Sequence, residues 1–128
     1  MATATSPLQQ HATEETIRDA DEMQAMLDAL QDADCRTVLD ATSEKPLSAS
    51  ELSEACDLPL STTYRKLDTL TEVGLLAERT RLCPDGKHAS EYIRSAEDVC
   101  LSPAADGGFE LTVSWRDCAD RVSSIGRR

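Results

Sequence analysis

The sequence predicts an α+β fold: helices first, then a β-hairpin, then an extra C-terminal strand pair. Three observations carry this. Leu47–Leu76, LSASELSEACDLPLSTTYRKLDTLTEVGLL, reads as a short capped helix, a turn and a longer helix. Cys83-Pro84-Asp85-Gly86 is a turn signal set between two strand-like runs. Phe109–Trp115 alternates apolar Phe109, Leu111, Val113 and Trp115 with Glu110, Thr112 and Ser114, the pattern of a half-buried strand.

At 128 residues the chain suits one domain with short extensions. The expected division is a disordered tail over 1–13, a domain over 14–115 and a short helix or tail over 116–128. With four aromatics in all, the core must be built from Leu, Val, Ile and Ala. No apolar run approaches a bilayer span and no N-terminal signal pattern is present, so no membrane contact and a cytoplasmic location are expected.

The formal net charge is −11. It is unevenly spread. Residues 1–60 carry 3 basic and 13 acidic side chains, residues 61–94 carry 6 and 5, and residues 95–128 carry 4 and 6. The one non-acidic third begins at the longer helix of the motif. An acidic shell, Arg in place of Lys and few aromatics look like the cytoplasmic protein of an extreme halophile. In such salt, charge is screened within a few ångströms, so overall acidity does not exclude a polyanion.

Cys35, Cys56, Cys83, Cys100 and Cys118 are widely spaced with no CxxC pair, which argues against a zinc knuckle and for free thiols. No triad, phosphate loop or paired acids can be assembled. His11 falls in the expected tail and His88 in the hairpin. The expectation is a protein that is not an enzyme and needs no cofactor or metal.

In chain order, Ile17, Ala20, Met23, Leu27 and Leu30 recur at three- and four-residue steps, predicting a helix from Glu14 onward. Its apolar surface serves either a dimer contact or packing on its own domain. Asp34 is placed to cap the next helix, Cys35–Thr42, with Val38, Leu39 and Ala41 inward. Cys35 then sits in the first turn, where helix-end amides and the dipole favour a thiolate, making it the candidate for a redox response. Its other reading is a small buried apolar residue.

Ser48 and Glu51 form a capping box, with Leu47 and Leu52 at the staple positions, so a helix starts at Ser48–Ala49 and ends near Cys56-Asp57. After the turn Leu58-Pro59-Leu60, the longer helix runs to Val73. At 100° per residue, Leu60, Thr63, Leu67, Leu70 and Gly74 share one side. Thr62, Arg65 and Thr69 point away, flanked by Ser61 and Lys66, with Tyr64 at the edge. Hydroxyls and two cations on an outer face suit a helix entering the major groove, where Arg pairs with guanine O6 and N7. Gly74 ends the helix; Leu75–Leu82 and Lys87–Arg94 form the hairpin, which carries Arg79, Arg81, Lys87 and His88 and reads as a wing reaching phosphate or the minor groove. Val99–Leu101 and Phe109–Trp115 complete the C-terminal strand pair.

These residues resemble the winged helix-turn-helix of ArsR-type transcriptional regulators, and most closely the small haloarchaeal forms. The pattern L-(S/P)-x-S-T-x-x-R-x-L-x-x-L-x-x-x-G-L-(L/V) is kept from Leu58 to Leu76, and the likeness covers roughly residues 28–94. The resemblance implies a homodimer on a near-palindromic double-stranded DNA site, with Ser61, Thr62, Thr63, Tyr64, Arg65 and Lys66 at the groove. Metal-sensing members carry Cys-x-Cys at the start of the first motif helix; here Leu47–Ser50 holds no cysteine, so metal sensing does not transfer. The family often ends in a dimerising helix, whereas this chain ends in strands. The expected function is a sequence-specific DNA-binding regulator, acting as a repressor by promoter occlusion, with a thiol response through Cys35 as an addition. The alternative is a winged-helix adaptor that binds proteins and no specific DNA.

Overall fold

The computed structural model describes residues 13–116. The expectations for the tail before Thr13, for the segment after Arg116 and for Cys118 lie outside the described residues. The chain divides into two compact units, residues 24–94 and residues 1–23 with 95–128. The division falls inside helix α1, Ala20–Gln31.

In the unit of residues 24–94, α2 (Ala33–Ala41), α3 (Ala49–Cys56) and α4 (Leu60–Glu72) pack on one another. A three-stranded antiparallel sheet of order β2-β4-β3 follows, made of β2 (Leu47–Ser48), β4 (His88–Arg94) and β3 (Leu76–Leu82). Val38, Leu52, Leu67, Leu70 and Leu75 are almost wholly buried, an aliphatic core as the scarcity of aromatics requires. The α3 start is the capping box read from the sequence: Ser48 Oγ accepts from the Glu51 amide at 3.2 Å, and Glu51 Oε1 accepts from the Ser48 amide at 2.8 Å. Asp57 closes α3 in the left-handed region at φ 57°, and Ser53 Oγ donates to the Leu58 carbonyl at 2.6 Å, which fixes the turn into α4. Gly74, at φ 86°, ends the path of α4, with the Leu75 amide returning to the Leu70 carbonyl at 3.0 Å.

The hairpin matches its expected limits within one residue. Its register sets Arg79 opposite Glu91 and Leu82 opposite His88. Gly86 at φ 86° closes the turn, its amide donating to the Cys83 carbonyl at 2.9 Å.

The other unit holds a three-stranded antiparallel sheet of order β1-β6-β5, from β1 (Thr13–Ile17), β6 (Phe109–Trp115) and β5 (Ala96–Pro103). Leu111 and Val113 are fully buried. Trp115 Nε1 donates to Glu15 Oε1 at 3.1 Å across the β1–β6 ladder.

Four sequence expectations are corrected here. Glu14–Ile17 is a strand, not the first turn of a helix; its partners Leu111–Ser114 lie far along the chain and are invisible to a local period. The cap of α2 is Asp32, whose carboxylate accepts from the Asp34 amide at 2.9 Å, so the helix starts earlier than Cys35. Val99–Leu101 is only the middle of β5, which runs over eight residues with an irregularity between Ala96 and Asp98. Leu60 is 44 % exposed at the first position of α4, where the core no longer covers that side.

Candidate nucleic-acid interface

The phase of α4 sets the candidate surface. Thr63, Leu67 and Leu70 are buried, so Ser61, Tyr64, Arg65 and Thr69 are turned to solvent, with Thr62 half-buried. Tyr64 is 48 % exposed. Among the described residues the Arg65 guanidinium has no ion-pair or hydrogen-bond partner, which leaves its donors available. Thr69 Oγ1 donates back to the Arg65 carbonyl at 3.1 Å, one turn earlier.

Two residues expected at the groove are engaged elsewhere. Thr63 is fully buried and donates to the Pro59 carbonyl at 3.0 Å, closing the first turn of a helix whose cap position is proline and so lacks a side-chain acceptor. Lys66 Nζ lies 2.5 Å from Asp32 Oδ2, tying α4 to the capping residue of α2. That hydrogen bond raises the Lys66 pKa and lowers that of Asp32.

The hairpin separates in the same way. Arg79 Nε donates to Glu91 Oε2 and Arg81 Nε to Glu91 Oε1, both at 2.7 Å. The Arg81 guanidinium also reaches Glu51 on α3, with Nη2 at 3.1 Å from Oε1. Burial pushes the Glu91 carboxyl up, and the bonds from Arg81 and Arg79 outweigh it and hold the group below its ordinary value. Glu51 falls to about 2, mainly through the Arg81 bond and then the Ser48 amide. Arg79 and Arg81 are therefore braces between β3, β4 and α3 rather than free cations. Lys87 and His88, at the tip, are exposed.

The Cys35 environment is the reverse of a thiolate site. The side chain is 1 % exposed, and burial, followed by the Asp32 charge, pushes its thiol pKa up. The helix-end effect expected from the sequence is outweighed by desolvation. Among the described residues no group of three or more His, Cys, Asp or Glu side chains is placed to hold a metal ion, and no helix is long and apolar enough to cross a membrane.

The decisive feature is the order of parts: helices α2 to α4, a capped turn between α3 and α4, and a hairpin directly after α4 whose sheet includes the short strand before α3. The fold is a winged helix-turn-helix. Residues 26–79 match the family described as a helix-turn-helix domain. Among solved structures the chain is similar to NolR from Sinorhizobium fredii, at 18 % identity and TM-score 0.52, over 75 % of this chain and 84 % of that one. It is also similar to reduced HlyU from Vibrio cholerae N16961, at 22 % identity and TM-score 0.50, over 61 % of this chain and 77 % of that one. At these identities the likeness bears on the fold alone. No curated protein matches the chain. Within the winged helix-turn-helix, α4 holds the recognition-helix position and the β3–β4 hairpin is the wing.

Sequence reasoning missed the bracing role of Glu51 and Glu91. The signal was present: a hairpin closed at Cys83–Gly86 puts Arg79 opposite Glu91, and Arg81 shares its face two residues on.

Proposed function

We propose that this chain is a sequence-specific DNA-binding transcription regulator of the ArsR-like, haloarchaeal type, acting as a homodimer and repressing by occlusion of a promoter. The observation that carries the reading is the outer face of α4: Ser61, Tyr64, Arg65 and Thr69 are exposed on a helix whose opposite face is buried, and Arg65 has no partner among the described residues. Asp68 stands three residues on, at helical spacing, yet among the described residues no ion pair joins it to Arg65, so the guanidinium is left to a ligand. Arg65 supplies the bidentate contact to guanine, and the hydroxyls of Ser61, Thr62 and Thr69 take bases or phosphate. Lys87 and His88 at the wing tip supply backbone contacts. Lys66, Arg79 and Arg81 hold α4 and the wing in place.

A homodimer gives two copies of α4, and their spacing selects a near-palindromic site about one helical turn apart. The acidity of the remaining surface suppresses binding at low charge screening and is consistent with work at high salt. A thiol response through Cys35 has no support from its burial. An adaptor role would leave the exposed face of α4 without a nucleic-acid ligand.

The test is a gel shift of genomic fragments with the wild type and Arg65→Ala in molar potassium chloride. Specific retention lost in the variant supports the reading. No retention by the wild type, or equal retention by both, removes it and favours the adaptor.

A further inference from the structure

The outer stripe of α4 carries two acids as well as Arg65. Ser61, Arg65, Asp68 and Glu72 follow one another at steps of four, three and four residues, and all four are exposed. They lie along one line, opposite the buried Thr63, Leu67 and Leu70. Thr71 Oγ1 donates to the main-chain carbonyl of Asp68 at 3.1 Å, and among the described residues no hydrogen bond or ion pair takes the Asp68 carboxylate. Distance along the axis separates the two acids. At about 1.5 Å per residue, Arg65 stands about 6 Å and Asp68 about 10.5 Å from Ser61, within the stretch by which a recognition helix reaches base edges. Glu72 is the last residue of α4, about 16.5 Å from Ser61 and past that stretch.

We propose, resting on the DNA-binding reading above, that Asp68 is a specificity-determining residue that selects cytosine in the major groove, on the base pair next to the guanine read by Arg65. The chemistry of a carboxylate gives the reason. It accepts hydrogen bonds and donates none, and phosphates repel it. In the major groove its partners are the exocyclic amines of cytosine and adenine. Adenine sets the N7 acceptor beside its N6 amine, whereas the cytosine edge offers the N4 donor alone. A base pair that turns guanine O6 and N7 or thymine O4 toward Asp68 strips the carboxylate of water and sets it against an acceptor. Wrong sites are thus rejected as well as the right one accepted. The three-residue step from Arg65 to Asp68 is about 4.5 Å along the axis, close to one base step of about 3.4 Å, which puts the two bases on adjacent pairs. The guanidinium and the carboxylate, unpaired with each other, are then each matched by a base.

The experiment starts from duplexes that the full-length wild type enriches from a random library in molar potassium chloride. The enriched duplex is rebuilt with each base pair changed in turn. Wild type, Asp68→Asn, Glu72→Gln and Arg65→Ala are titrated on every copy, and Arg65→Ala locates the guanine. Asp68 and Glu72 are exposed and their amides are near-isosteric, so both variants retain the fold. Each removes one negative charge, and general relief of repulsion strengthens all duplexes alike. The readout is therefore the affinity ratio between the enriched duplex and each changed copy. Wild type is expected to discriminate about tenfold at one cytosine next to that guanine. Asp68→Asn should reduce this ratio to about twofold and leave the other positions as in the wild type, and Glu72→Gln should leave every ratio unchanged. If Asp68→Asn keeps the wild-type ratios throughout, or alters a position that is not a cytosine, the assignment is overturned while the DNA reading stands. An equal change of the same ratio in Glu72→Gln also overturns it, because charge alone then accounts for the effect. If the wild type enriches no duplex, both fall.

Discussion

Arg81 on the wing and Glu51 on α3 face each other with Nη2 3.1 Å from Oε1, and Glu51 is the same residue that completes the capping box with Ser48. One carboxylate thus caps the start of a helix and anchors a hairpin. Because Arg81 also donates to Glu91 at 2.7 Å, the start of α3 and both wing strands form one ion-paired unit.

Acid should loosen this unit first. Glu51 titrates at about 2, and Glu91 and Asp32 are also held below their ordinary values. A depressed folded-state pKa contributes stability that is complete above the unfolded value and is lost as pH falls through the folded one. The urea midpoint is therefore expected to be flat from neutrality to about pH 5 and to fall steadily toward about pH 2. A Glu91→Gln variant should show a shallower acid limb in the same urea series.

Glu91 should matter more to stability than Glu51. Its side chain is 11 % exposed against 47 % for Glu51, and it accepts from two guanidinium groups. Glu91→Ala leaves Arg79 half-buried without its acceptor and Arg81 with Glu51 alone, and is expected to cost about 3 kcal/mol in urea unfolding. Glu51→Gln keeps the cap partly served and should cost less than about 1 kcal/mol.

Much of this was legible in the chain because its signals are local. The Ser48/Glu51 box, the helical phase that buries Thr63, Leu67 and Leu70, and the turn at Cys83–Gly86 all lie within a few residues of what they specify. The misread elements depend on distant partners. Glu14–Ile17 continues an apolar helical period yet pairs as a strand with Leu111–Ser114. Asp32 and Asp34 are equivalent caps by composition, but it is Asp32 that Lys66, 34 residues on, hydrogen-bonds. The exposed face of α4 follows from helical phase, whereas the engagement of individual side chains does not. Charge and position named Lys66, Arg79 and Arg81, and only the folded neighbours show their guanidinium and ammonium groups taken.

Two wing variants separate bracing cations from those offered to a ligand. Lys87 is exposed at the tip, whereas Arg79 is held by Glu91. Lys87→Gln is expected to flatten the slope of log DNA affinity against log salt by about 0.9, the value for one phosphate contact. Arg79→Gln should leave that slope as in the wild type while lowering the urea midpoint.

Thiol accessibility checks the burial of α2. Cys100 is exposed and Cys35 is 1 % exposed with its thiol pKa raised. In native protein at neutral pH, a disulfide reagent should label Cys100 rapidly and Cys35 only on unfolding, with peptide mapping to assign the sites. Rapid native labelling of Cys35 would restore it as a redox candidate.

Whether the outer face of α4 reads DNA, as proposed, is decided by the affinity of wild type and Arg65→Ala for a duplex selected by the wild type at high salt. Arg65→Ala is expected to lose about 1–3 kcal/mol in binding with an unchanged urea midpoint, since Arg65 is exposed and has no partner among the described residues. Equal affinity of the two proteins, or no duplex selected at all, would contradict it.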